Sequence, residues 1–190
     1  MASAEIHSIQ SVSGNQPRIK RVIEEAGQTF LPGTPVQVAA GDGGLQAWVQ
    51  GATKIAGFSK EFGNNLAALG VAPTAAVNPT PQPSTGQAVP FEPSAVSISR
   101  PLFRDGRQGV EIANSDTIFA AQVGPAQIAL ATDVGVTYNL TKDADNHWYV
   151  DKTNVANLVA TIVKLDPADQ SAAPRGVYIV ITPAFQQIPG

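Results

Sequence analysis

The residues best suited to chemistry gather at one place, Asp143-Ala144-Asp145-Asn146-His147. Two carboxylates and an imidazole at alternate positions could hold a divalent cation. His147 could equally exchange protons with Asp143, Asp145 or Asp151. A calcium loop would also need a central glycine and a closing glutamate, which this stretch lacks. Asp and Asn runs are also ordinary hairpin chemistry, because their side chains bond nearby backbone and tolerate tight turns. No nucleophile accompanies His147: the chain carries neither a Gly-x-Ser-x-Gly elbow nor a Ser-x-x-Lys pair. The second histidine, His7, is remote in sequence, and the absence of cysteine removes thiolate catalysis, disulfides and cysteine zinc sites together. Gly41-Asp42-Gly43-Gly44 lacks the following Lys and Ser/Thr of a phosphate loop and reads as a hairpin turn. Asn139-Leu140-Thr141 matches a glycosylation sequon. No catalytic residue, metal or cofactor is therefore expected, and the chain is not expected to be an enzyme.

Charge points the same way. Lys and Arg number 12 against 15 Asp and Glu, a net charge of −3. The one basic cluster, Arg18, Lys20 and Arg21, is followed at once by Glu24 and Glu25, so a nucleic-acid partner is not expected. Mean hydropathy is 0.00, and no apolar run approaches the ~20 residues of a spanning helix, so no membrane role is expected. Met1 to Glu5 lacks the basic stretch and apolar core of a secretory signal.

The elements that must position these residues are strands. With 17 Gly, 15 Pro and only 14% charged residues, the chain reads as many short strands joined by turns. Residues 1–18 are polar, with Ile6, Ile9 and Val12 three apart; they form either a loose tail or an arm that orders on a neighbouring chain. Residues 19–70 give a first β module. Leu31 to Pro35 is a turn, Val36-Gln37-Val38 a half-buried strand, Leu45 to Val49 its return strand and Lys54 to Phe58 another, with a helical turn or two over Phe62 to Leu69. Residues 71–94 hold six prolines and read as an extended linker. Residues 95–190 give a second β module. Its expected strands cover Val96–Ser99, Gly109–Ala113, Thr117–Ala120, Gln127–Leu130, Val136–Leu140, Trp148–Val150 and Leu158–Leu165, with Val177–Ile181 as a central strand buried on both faces. No exact internal repeat is visible. Trp148 lies in an apolar strand and reads as core. Trp48 is out of phase with Leu45, Ala47 and Val49, and either covers a second sheet face or contacts a partner. The fold class is all-β: two small sandwich-like or barrel-like modules, a Pro-rich linker and an extended N-terminal arm.

The order Thr34-Pro35-Val36, then Leu45-Gln46-Ala47-Trp48, then Ile55-Ala56-Gly57-Phe58 resembles the lambda-type head decoration proteins of tailed bacteriophages over about 30 residues. A weaker likeness to β-rich modules of phage virion proteins runs from Asp133-Val134-Gly135 through Trp148-Tyr149-Val150 to Val177-Tyr178-Ile179-Val180. The chain is longer than the lambda type and carries an additional module. The resemblance implies a non-enzymatic cement protein on the outer capsid surface of the virion, a homotrimer whose partner is the major capsid protein. Under that reading Ile6, Ile9 and Val12 would anchor an N-terminal arm by strand addition, Arg18, Lys20 and Arg21 would meet acidic capsid surface, and Trp48 would sit at an interface. Deleting residues 1–17 should then abolish capsid binding and leave the β core folded. Competing readings are a head fibre, a tail tube or baseplate subunit, and a carbohydrate-binding module or unusual hydrolase.

Overall fold

A computed structural model describes residues 6–11, 13–14, 18–25, 28–40, 43–51, 54–63 and 107–187. Its regular elements are almost all strands in two antiparallel sheets, so the chain is all-β. The expected linker at 71–94, the strand at Val96–Ser99 and most of the expected helical turn at Phe62–Leu69 lie outside the described residues.

The first sheet contains β2 (Ile19–Ile23), β3 (Pro35–Val38), β4 (Leu45–Ala47), β5 (Gly57–Ser59) and β6 (Arg107–Ile112), in the order β2-β6-β5-β3-β4. Just past β2, Glu24 forms a parallel bridge to Leu45 of β4, and the Glu25 N–H donates to the Leu45 carbonyl at 2.9 Å. That bridge brings the two outer strands together and curls the sheet into a small barrel. Its interior is Phe30, Val36, Leu45, Val110 and Ile112, with Val22, Val38 and Ala47 packed against them.

The second sheet contains β7 (Thr117–Gln122), β8 (Thr137–Lys142), β9 (Trp148–Asp151), β10 (Ala160–Leu165) and β11 (Gly176–Ile181), plus β1 (His7–Ser11) on the outside of β7. Leaving β1 aside, its order is β7-β11-β10-β8-β9. Past β7, Val123 makes a parallel bridge to Val150 of β9, and the Gly124 N–H donates to the Val150 carbonyl at 3.0 Å.

The two barrels therefore have one topology: numbered within each barrel, the strand order is first-fifth-fourth-second-third, closed back on the first. The match extends to individual hydrogen bonds. Gly33 N–H to Ser59 O at 2.7 Å corresponds to Gly135 N–H to Ile162 O at 2.7 Å, and both glycines take positive φ, 77° and 87°. Ala56 N–H to Val36 O corresponds to Val159 N–H to Tyr138 O, and Ala113 N–H to Ala56 O to Thr182 N–H to Val159 O. The sequence shows no exact repeat, yet the backbone repeats. Strand pairing needs only alternation and turns at the right places, so side chains can diverge widely while the ladder persists.

Two groupings by sequence are corrected. The first barrel is completed by β6, which lies beyond the expected linker. The expected arm contributes β1 to the second sheet, where His7 pairs with Ala120 and Ser11 with Thr117. The modules also share a core: Ile6, Trp48, Ile55 and Phe58 pack with Phe119, Val123, Trp148, Val150, Ile179 and Ile181 in one cluster. The Phe58 and Phe119 rings meet at 4.6 Å between centroids, tilted by 54°. Two strand expectations also change. Gln127–Leu130 is irregular, tied by the Ala129 N–H to Pro174 O at 2.7 Å. β11 is central in its sheet but alternates, with Val177, Ile179 and Ile181 buried and Tyr178 and Val180 only half-buried, because an antiparallel sheet can leave one face to solvent.

Candidate docking surface

Strand β2 is the outer strand of the first barrel. Its register with β6, Lys20 opposite Val110 and Val22 opposite Gln108, and the Ile112 N–H donating to Arg18 O at 3.0 Å, turn the main-chain groups of even-numbered residues toward β6. Those of Ile19 and Arg21 therefore point away from it. Arg18, Ile19, Lys20 and Arg21 are all exposed, Ile19 by 56%. Three cations and one apolar side chain thus share a short exposed edge. Beside it opens a cavity of about 550 Å³ lined by Lys20, Arg21, Val22, Ile23, Val38, Gly43 and Gln187. The Gln187 side chain closes the inner wall by accepting from Val38 N–H at 2.7 Å and donating to Val38 O at 2.7 Å, as a strand would.

Buried polar groups accompany the apolar interior of this barrel. Glu111, 2% exposed, accepts from Lys60 Nζ at 2.6 Å and from the Ser8 N–H, so one carboxylate ties β1, β5 and β6 together. Glu24, fully buried, accepts from Gln108 Nε2 at 2.6 Å, and the same amide nitrogen donates to Phe62 O. Sequence reasoning missed these groups. Glu111 reads as the polar position of an alternating strand, and Lys60 is too far along the chain for any local pattern to pair them.

A second polar cluster pins the irregular segment before β8. Asp133 accepts from Lys152 Nζ at 2.6 Å, Tyr138 OH at 2.7 Å and Leu130 N–H at 2.8 Å. Burial alone would push its carboxyl up, but these donors outweigh it and hold Asp133 below the usual carboxylate range. Tyr138, desolvated and bonded to that carboxylate, is pushed up to about 12. Asp151 follows the same logic: burial raises it, and donors on Thr153, Gln127 and Thr141 bring it below its ordinary value.

The Asp143–His147 stretch is the turn between β8 and β9. Asp143 Oδ1 accepts the N–H groups of Asp145 and His147, both at 2.9 Å, and Asn146 takes a positive φ of 65°. His147 Nδ1 lies 3.6 Å from the same oxygen. One ligating atom from each of Asp143, Asp145 and His147 falls within 4.8 Å of the others. The geometry assigns Asp143 to closing the hairpin, the work its residue type does in turns.

The residues expected to bind a partner divide. Arg18, Lys20 and Arg21 stand together on the exposed edge. Ile6 is 2% exposed and packs into the shared core, so it is no outward anchor. Its apolar surface is used within the chain. Ile9 is half-buried where the β1 register shifts between Ser8 and Gln10, and Val12 lies outside the described residues. Trp48 is 3% exposed and meets Trp148 at 5.5 Å between ring centroids. It seals the contact between the barrels, a third role that neither sequence alternative named.

No family model matches the chain, and no curated protein or solved structure shows significant similarity to it.

Proposed function

We propose that this protein is a non-enzymatic structural component of a phage virion, a decoration protein that binds the major capsid protein on the outer surface of the head and stabilises it. The observation that carries the reading is the exposed edge Arg18-Ile19-Lys20-Arg21 on an otherwise closed barrel. Closed barrels leave few edges to mispair, so an exposed cationic edge on such a scaffold suits it to dock against an acidic surface. Two features lend support. The three segments that resemble lambda-type decoration proteins form adjacent strands, β5-β3-β4, of the barrel that bears this edge. Both barrels share one core, which gives a stiff body able to clamp neighbouring subunits. In this reading the N-terminal strand braces the protein itself, and β2 meets the capsid. A homotrimer would multiply a weak individual contact through avidity.

The test is co-sedimentation with heads of the phage that encodes the chain, with mass measured in solution by light scattering. The expected result is a trimer that saturates the heads and raises their disruption temperature, with binding weakened about tenfold or more by Lys20→Glu/Arg21→Glu. A monomer that stays in the supernatant at low salt overturns the reading.

A further inference from the structure

We infer that the outer edge of β2 is a strand-acceptor slot, filled by an extended acidic segment of a partner protein that adds antiparallel to β2. The inference rests on the docking surface proposed above and deepens it by naming the binding geometry and the partner's chemistry. Its ground is the internal duplication. In the second barrel the strand equivalent to β2 is β7, because the closing bonds Glu25 N–H to Leu45 O and Gly124 N–H to Val150 O correspond. Arg18, Ile19, Lys20 and Arg21 then match Thr117, Ile118, Phe119 and Ala120. On β7 those four residues are the ones covered: β1 pairs with them antiparallel, Ser11 to Thr117, Gln10 to Ile118, Ser8 to Phe119 and His7 to Ala120. The molecule thus contains one worked example of strand addition at this edge. On the first barrel no strand among the described residues lies beyond β2, and all four side chains are exposed.

The occupied slot also shows what an occupant needs. Ile6, one residue before β1, continues that register to face Ala121 and is buried in the core. The position equivalent to Ala121 is Val22, and the cavity of about 550 Å³ opens there, beside Val22, Ile23 and Val38. An apolar side chain at the corresponding point of an incoming strand would fill it, as Ile6 does in the duplicate. Charge then separates the two slots. Thr117, Ile118, Phe119 and Ala120 take the segment His-Ser-Ile-Gln-Ser of β1, which holds no carboxylate, whereas the exposed Arg18 and Lys20 favour carboxylates on the occupant. Main-chain bonds supply affinity, and the pocket and cations supply selection.

The probe is a capped synthetic peptide, Asp-Ile-Glu-Val-Asp-Ile, titrated into the full chain, with its Lys-for-acid analogue as control. The expected result is binding of the acidic peptide alone, slowed amide exchange at Ile19, and affinity that falls with added salt. Two variants separate the levels of the argument. Ile19→Pro removes an outward N–H at the start of an outer strand, where proline is tolerated, and should abolish peptide binding while Arg18, Lys20 and Arg21 remain. Lys20→Glu/Arg21→Glu should weaken binding at least about tenfold without altering the fold. If Ile19→Pro binds as well as the parent and only charge reversal matters, the surface docks by side chains and strand addition is overturned while the docking reading stands. Failure of the acidic peptide to bind, or a constitutive dimer paired through β2, overturns the inference.

Discussion

Gly57 shows how closely single residues are constrained. It sits in β5 opposite β6, where a Cβ would overlap the Glu111 carbonyl oxygen and come within 2.6 Å of Val110 Cγ1. Backbone cannot yield as a flexible side chain can, so Gly57→Ala should cost about 3 kcal/mol or more, read from the denaturant midpoint. Asp133 is constrained by its donors. Asp133→Ala leaves Tyr138 OH and the Leu130 N–H without this acceptor, while Lys152 Nζ keeps the Ile128 carbonyl at 2.8 Å, and should cost about 2–3 kcal/mol, less than a fully buried pair because Lys152 is partly solvated. The linkage signs follow from the shifts. Asp133 and Asp151 titrate lower folded than unfolded, so their contribution is present above about pH 4 and is lost as pH falls through the folded values. Tyr138 titrates higher when folded. Its contribution is intact below pH ~10 and is lost as pH rises from there to about 12. Urea midpoints across pH should therefore fall at both ends, and Tyr138→Phe should flatten the alkaline limb.

At the scale of elements, the two outer strands have opposite fates. β1 covers β7, buries Ile6 and donates the Ser8 N–H to the buried Glu111 carboxylate. Removing residues 1–11 should therefore expose a core edge and lower the melting temperature by ten degrees or so, since burying Ile6 alone accounts for about 2 kcal/mol. The longer deletion of residues 1–17, which the arm reading expects to spare the β core, removes β1 as well and instead tests that core. A truncated chain that melts like the parent would show β1 to be dispensable. In the first barrel β2 takes the place of β7, yet Arg18, Ile19, Lys20 and Arg21 along it are exposed. Alternation and turn chemistry made most strands legible: β3, β4 and β8 to β11 fall where their patterns put them, within the usual raggedness of strand ends. The pairing of β3 with β4 was legible for the same reason, with Ala39 N–H to Gly44 O at 2.8 Å, while Gly41 and Asp42 of the expected turn lie outside the described residues. Gln127–Leu130 was misread as a strand because alternation alone does not say whether a neighbour is there to receive the ladder.

At the scale of the whole molecule, the shared core argues for one cooperative unit. Phe58 belongs to one barrel and Phe119 to the other, yet both are fully buried in mutual contact. Calorimetry should show a single transition, and a double-mutant cycle of Phe58→Ala and Phe119→Ala should give a coupling of about 0.5–3 kcal/mol. Two separate transitions with additive mutants would mean independent barrels. Trp48 belongs to this scale as well. Its phase along β4 marked it as unusual, but only packing against Trp148 reveals what that phase is for.

The sequence by itself determined most of the strands, the turns and the cationic cluster Arg18, Lys20 and Arg21, though not strands β1 and β2, because alternation, proline and glycine act over a few residues. Tertiary structure alone decided that β6 completes the first barrel, that β1 braces the second, that the two barrels repeat one topology, and that Glu24, Glu111 and Asp133 find their donors. Those outcomes turn on which distant strands pair, and pairing depends on complementary edges and a common core that no local window of the chain contains.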